Sequence, residues 1–239
     1  MYRAKWIRID VDCTHKALIT GIRATQFSDE VGCGFDLSFR DDRTIRAKFI
    51  EKIATVEIVT DPFGVSSSIE TTRYSSTEFQ LTIFSSDGVR SYLMEVRFPP
   101  RTLRTLIAAL DTFATGLVVS EVQLPLMDVF SILRKSSVTS RLTRIKASQL
   151  KLTPDSVAKI DVISSGNAVT DLKRHFEVDA ISIDKIRVER PFGAAAHSME
   201  LSRNGLISVD DSYQEVASDF LLDLLMNQYM APSGSRRRL

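Results

Sequence analysis

"IEKIATVEIVTDPFG" (Ile50–Gly64) has an echo later in the chain, "IDKIRVERPFG" (Ile183–Gly193). Both write Ile, acid, Lys, Ile, then Val-Glu, then Pro-Phe-Gly. The chain continues alike after each copy. "EFQLTIFSSDGVRSYLMEV" (Glu78–Val96) and "HSMELSRNGLISV" (His197–Val209) are pairs of alternating apolar runs, joined by Asp87-Gly88 and Asn204-Gly205. Asp-Gly and Asn-Gly supply the positive φ angles of tight hairpin turns, so both stretches predict β-hairpins.

An amphipathic helix is predicted after each hairpin. In "PPRTLRTLIAALDTF" (Pro99–Phe113) Leu103, Leu106, Ile107, Leu110 and Phe113 fall at helical spacing behind two prolines. In "SYQEVASDFLLDLLMNQY" (Ser212–Tyr229) the set is Val216, Phe220, Leu221, Leu224 and Leu225, with Ser212 and Glu215 at capping-box spacing. The shared order of motif, hairpin and helix makes internal duplication the preferred reading, with shorter loops in the second copy. Upstream, "DLSFRDDRTIRAKFIEKI" (Asp36–Ile53) and "DLKRHFEVDAISIDKI" (Asp171–Ile186) align loosely.

Around this frame, "KWIRIDVDC", "ALITGIRATQ" and "GFDLSFRD" read as strands, and "PLMDVFSILRK" as a short helix with Leu126, Val129, Phe130 and Leu133 on one face. "TRIKASQLKLTPDSVAKIDVISSG" reads either as two strands around Thr153-Pro154-Asp155 or as a helix beginning there. The expected fold class is α+β: a tandem duplication of a bent antiparallel sheet or barrel, each copy closed by a C-terminal helix. The expected domains are 1–116 and 144–231, with a connecting helix and basic linker over 117–143 and a flexible basic tail over 232–239.

"FQLTIFSSDGVRSYLMEVRFPPRTLRTLIAAL" and "MELSRNGLISVDDSYQEVASDFLLDLL" resemble the last strands and closing helix of the pleckstrin-homology-like (PH-like) fold. The resemblance covers about half of each copy. The tryptophan common in the closing helix of eukaryotic members is missing, since the only Trp is Trp6. A duplicated clamp-like or saddle-like α+β fold is the competing architecture. The PH-like resemblance implies recognition of a protein partner, a peptide or a membrane headgroup.

Composition sets the outer bounds. The chain has 239 residues, 31 basic against 30 acidic, for a formal charge of +1. That balance argues against a surface that tracks phosphates everywhere, though not against a local basic patch. Two cysteines make no disulfide framework, and no apolar run has signal-peptide or membrane-span length, so the chain reads as soluble and cytoplasmic.

Few residues carry chemistry. Asp10 and Asp12 share one face of a predicted strand and could hold a divalent metal for hydrolysis; alternation with Ile7, Ile9 and Val11, as in any half-exposed strand, is the plainer explanation. Cys13, His15 and Cys33 lack a Cys-x-x-Cys knuckle and a fourth zinc ligand. No cofactor is expected. The richest signal is basic: "RKSSVTSRLTRIKASQLK" carries Arg134, Lys135, Arg141, Arg144, Lys146 and Lys151 with no acid, and Arg236, Arg237 and Arg238 form a second cluster. Without interleaved aromatics the interval lacks the stacking platform of a single-strand binder; a solvated linker is the plainer explanation. The expected function is a non-catalytic binding module or complex subunit acting through another protein. Nucleic-acid binding through 134–151 comes second, ahead of a membrane headgroup, and a hydrolase using Asp10 and Asp12 comes last.

Overall fold

The computed structural model describes residues 1–85, 89–153, 156–175, 182–193 and 195–230. The chain is α+β, with antiparallel sheet and a C-terminal helix. It divides into two units, Ile9–Val119 and Met1–Arg8 with Ser120–Leu239. This division departs from the expected boundaries at the N-terminus. Tyr2–Lys5 pair antiparallel with Val209–Leu206, which ties the first residues to the second half. The segment 117–143 holds a helix with buried Leu126, Val129, Phe130 and Leu133, and also the start of a strand.

The unit Ile9–Val119 takes the end of β1 (Tyr2–Val11), then α1 (His15–Ala24), β2 (Cys33–Arg40), β3 (Thr44–Thr60), β4 (Ser66–Ser85), β5 (Arg90–Arg97) and α2 (Arg104–Asp111). Its strands form an antiparallel meander in the order β2-β3-β4-β5. Phe35 centres the core, its ring 5.2 Å from Phe49 and edge-on to Phe79 and Phe113. The expected strand over "ALITGIRATQ" is instead α1. Thr14 decides this by accepting a hydrogen bond from the Ala17 amide at 3.0 Å. That cap starts a helix whose Leu18 and Ile22, four apart, are buried.

In the other unit, β6 (Val118–Glu121) leads to α3 (Leu126–Ser136), β7 (Arg141–Thr153), β8 (Ser156–Ile163), α4 (Ala168–His175), β9 (Ser182–Glu189), β10 (Ser198–Ser202), β11 (Leu206–Val209) and α5 (Gln214–Met230). The antiparallel order is β8-β7-β9-β10-β11, with β1 beside β11. α3 buries Leu126, Val129, Phe130 and Leu133 as the spacing predicts. The stretch that reads as two strands or as a helix is the two strands β7 and β8; its turn at 154–155 lies outside the described residues. "DLKRH" belongs to α4 whereas "DLSFR" is β2, so the loose upstream alignment does not carry into structure.

From the motif onward the two units repeat one plan. β3, β4, β5 and then α2 correspond in order to β9, β10, β11 and then α5, each set an antiparallel meander followed by a helix. The Pro-Phe-Gly turn joins the first two strands in each. Gly64 (φ 85°) and Gly193 (φ 135°) both adopt positive φ, which the final glycine of the motif permits. The turn at Asp87-Gly88 lies outside the described residues, while Asn204-Gly205 closes the β10–β11 hairpin with Gly205 at φ 82°. A side chain on Gly205 would meet the Trp6 carbonyl, whose residue donates its own amide to Gly205 at 2.9 Å.

The closing helices bury Leu106, Leu110, Leu221 and Leu225. α5 does not use the expected capping box. It begins at Gln214 behind a 3-10 turn over Asp211–Tyr213, and Val216 is left exposed. Truncating Leu106, Leu110, Leu221 or Leu225 to Ala should cost about 2–5 kcal/mol in urea unfolding. Val216→Ala should stay within about 0.5 kcal/mol. Changes within about 0.5 kcal/mol at Leu106, Leu110, Leu221 and Leu225 as well would mean that these helices cover no core.

Candidate functional site

The basic interval is not one loop. Arg134 and Lys135 stand in the last turn of α3, where cations complement the helix C-terminus. Arg141, Arg144 and Lys146 project from β7. Lys151 also falls in β7, but its side chain, like Arg236, Arg237 and Arg238, lies outside the described residues.

The alternation of β7 explains where its cations go. Leu142, Ile145 and Ala147 are buried, so Arg144 and Lys146 take the open side of the sheet. β9 does the same, burying Ile186 and Val188 and leaving Lys185 and Arg187 outward. The register then sets Arg144 directly opposite Arg187, and Lys146 opposite Lys185. Continuing across the sheet, Arg187 faces Glu200, Glu200 faces Ser208, and Ser208 faces Arg3. Lys146 faces Asp161 on β8. A groove of about 580 Å³ opens here, with Lys146, Lys159, Asp161, Lys185 and Arg203 in its lining.

Two carboxylates serve four cations at the centre of this face. Asp161 accepts from two guanidinium nitrogens of Arg144, Nε at 2.8 Å and Nη2 at 2.5 Å, and stands 3.4 Å from Lys146. Glu200 accepts from Lys185 at 2.8 Å and lies 3.9 Å from Arg187. The Arg144 hydrogen bond, with the neighbouring positive charges, holds the Asp161 carboxyl down at about 2. Burial alone would raise the Glu200 pKa, but the Lys185 hydrogen bond and the charges of Lys185, Arg187 and Arg144 bring it below the usual carboxylate range. Toward the edge, Arg141 pairs with Glu189 at 3.3 Å.

A second exposed feature is the arm made by β3 and β4. The β2 ladder along β3 ends at Glu51, and the β5 ladder along β4 begins at Glu78. Between them, Lys52–Thr60 pair with Ser66–Tyr74 and, among the described residues, with no other strand. Nine residues of strand extend about 30 Å. Val56, Ile58, Val59, Val65 and Ile69 are exposed along this ribbon, and Phe63 at its tip is 92% exposed. Asp61 forms the tip by accepting from the amides of Phe63 and Val65, both at 2.8 Å. The base is braced by Tyr74, which donates to Asp29 at 2.8 Å and meets the Phe27 ring edge-on. The matching phenylalanine has another fate: Phe192 packs against His197, Tyr213 and Phe220.

The remaining candidates are engaged locally. Asp10 accepts from the Ser91 hydroxyl. His15 lies 3.0 Å from the Tyr92 hydroxyl through Nδ1 and 3.0 Å from the Asp41 carbonyl through Nε2. Burial pushes the Tyr92 hydroxyl up to about 12. Cys13 and Cys33 are unbonded thiols, and the described residues contain no group of three or more His, Cys, Asp or Glu arranged to hold a metal. No helix of the described residues is long and apolar enough to cross a membrane.

No protein-family model matches the chain, and no curated protein matches it. Among solved structures it is similar to the di-domain ARO/CYC StfQ from the steffimycin biosynthetic pathway, over 94% of each chain at 12% identity. The TM-score of 0.21 leaves that likeness without weight for fold or function.

Reading 134–151 as one segment misses Arg3, Lys159, Lys185 and Arg187, which other strands bring to the same face. The alternation in "IDKIRVE" is the available signal, with Lys185, Arg187 and Glu189 on one side and Ile186 and Val188 on the other. The ion pairs on this face predict a pH dependence. Asp161 is stabilising above its ordinary carboxyl pKa of 3.8, and that contribution is lost as pH falls toward about 2. The melting temperatures of the parent and Asp161→Asn should therefore converge over that interval. A gap that stays constant down to pH 2 would remove Asp161 from the pH response.

Proposed function

We propose that the protein is a non-catalytic binding module, a complex subunit that docks on another protein through the β3–β4 arm. One observation carries this reading: a two-stranded ribbon with apolar side chains exposed on both faces and, among the described residues, no third strand beside it. Along one face run Val56 and Ile58, with Val59 and Ile69 on the other. Isolated two-stranded hairpins are marginal in water, and exposed apolar patches mark interaction sites. Lys52 and Arg73 against Glu57, Asp61 and Glu70 leave the ribbon slightly acidic, which suits a protein cleft better than a polyanion.

The finer architecture belongs to the same proposal. A meander closed by a helix, present in both units, supports a duplicated PH-like plan. The helices α1 and α3, each ahead of the meander strands, are additions to that plan and favour the clamp-like or saddle-like alternative.

The test is capture from nuclease-treated native lysate with the parent and with an Ile58→Ser/Phe63→Ser variant. The parent should retain a stoichiometric protein partner. The variant should lose it by tenfold or more, as for buried aromatic anchors of an interface, while melting within a degree or two of the parent because both residues are exposed. Retention of the same partner by the variant would remove the arm from the interface.

A further inference from the structure

We propose that the open face of the β8-β7-β9-β10-β11 sheet is a second binding surface, one that takes the phosphate backbone of double-stranded nucleic acid. It is independent of the arm. The carrying observation is the register that sets Arg144 opposite Arg187 and Lys146 opposite Lys185. Like charges directly opposite on adjacent strands destabilise a sheet, and here two such pairs are consecutive on the same face.

The protein neutralises this quartet only in part. Asp161 and Glu200 are the carboxylates within ion-pair reach of its four cations among the described residues. Lys159 and Arg3 add positive charge at either side, with no ion-pair partner among the described residues. Lys5, paired to Glu121 at 3.7 Å, extends the edge. A polyanion laid across the face supplies the missing negative charge.

The chemistry of the face selects among polyanions. Five inter-strand spacings from β8 to β1 make it about 24 Å wide, enough to meet several phosphates at once. Among the described residues, the side chains between the cations on β10 and β11 are Ser198, Glu200, Ser202, Leu206 and Ser208, with no aromatic ring to stack an unpaired base. Duplex is therefore favoured over single strand, and the contacts are to backbone, without sequence preference. The groove lined by Lys146, Lys159, Lys185 and Arg203, against Asp161 and Asp184, is a recess with a net positive lining that suits a phosphate.

Fluorescence anisotropy with a labelled 30-base-pair DNA duplex, using the full chain at several salt concentrations, tests this. Each phosphate contact contributes about −0.9 to the slope of log affinity against log salt. The parent should bind with a slope steeper than about −2. Lys146→Gln/Lys159→Gln/Lys185→Gln should flatten that slope by two units or more and weaken binding at least tenfold at low salt. Asp161→Asn, which removes a negative charge from the face, should bind more tightly than the parent. The Ile58→Ser/Phe63→Ser variant should bind duplex as the parent does, which separates failure here from failure of the arm. Four results would overturn the proposal: no duplex binding by the parent at low salt, an unchanged triple variant, stronger binding to a single strand of equal length, or binding to phosphatidylserine vesicles without binding to duplex.

Discussion

The register between β7 and β9 is the constraint on which the second unit depends. Ile145 sits opposite Ile186, and Leu142 opposite Val188, so the apolar residues of both strands meet on one side. A slip of one residue would turn one strand's cations, either Arg144 and Lys146 or Lys185 and Arg187, into the core and expose that strand's aliphatic side chains. Burial of those aliphatic residues enforces the register, and the register in turn forces cation opposite cation on the other side. The charged face is a consequence of the same pairing that makes the core. Its partial neutralisation by Asp161 and Glu200 shows how far the protein itself offsets the repulsion.

The first unit solves a different problem with the same motif. β3 and β4 run to 17 and 20 residues, while β9 and β10 have 8 and 5. The extra length carries Pro62-Phe63-Gly64 beyond the core of its own unit. In the short version, Pro191-Phe192-Gly193 folds back, and the ring joins an aromatic cluster with His197, Tyr213 and Phe220. One turn sequence thus ends a projecting arm in one unit and seals the rim of a core in the other. The difference lies in strand length.

That difference also marks what is legible in the sequence. The meander and closing helix can be read because alternation and helical spacing are local patterns, and Leu106, Leu110, Leu221 and Leu225 are buried as that spacing predicts. α1 escapes such a reading because a short apolar run fits a strand or a helix, and the Thr14 cap breaks the tie. The arm is hidden because Val56, Ile58 and Ile69 look like core residues until the ends of the β2 and β5 ladders are known. The cationic face is half legible: the β7 residues form a conspicuous basic run, whereas Lys185 and Arg187 join it only through non-local pairing. Non-local register is what one sequence does not display.

Lysine acylation read by mass spectrometry, with and without a DNA duplex, examines the face one residue at a time. Lys146, Lys159 and Lys185 share a groove lining, while Lys52 stands at the base of the arm beside Asp29. Duplex should slow acylation of the first three several-fold and leave Lys52 unchanged. Protection of Lys52 with no change at Lys146, Lys159 and Lys185 would contradict the assignment of the open sheet face to a polyanion.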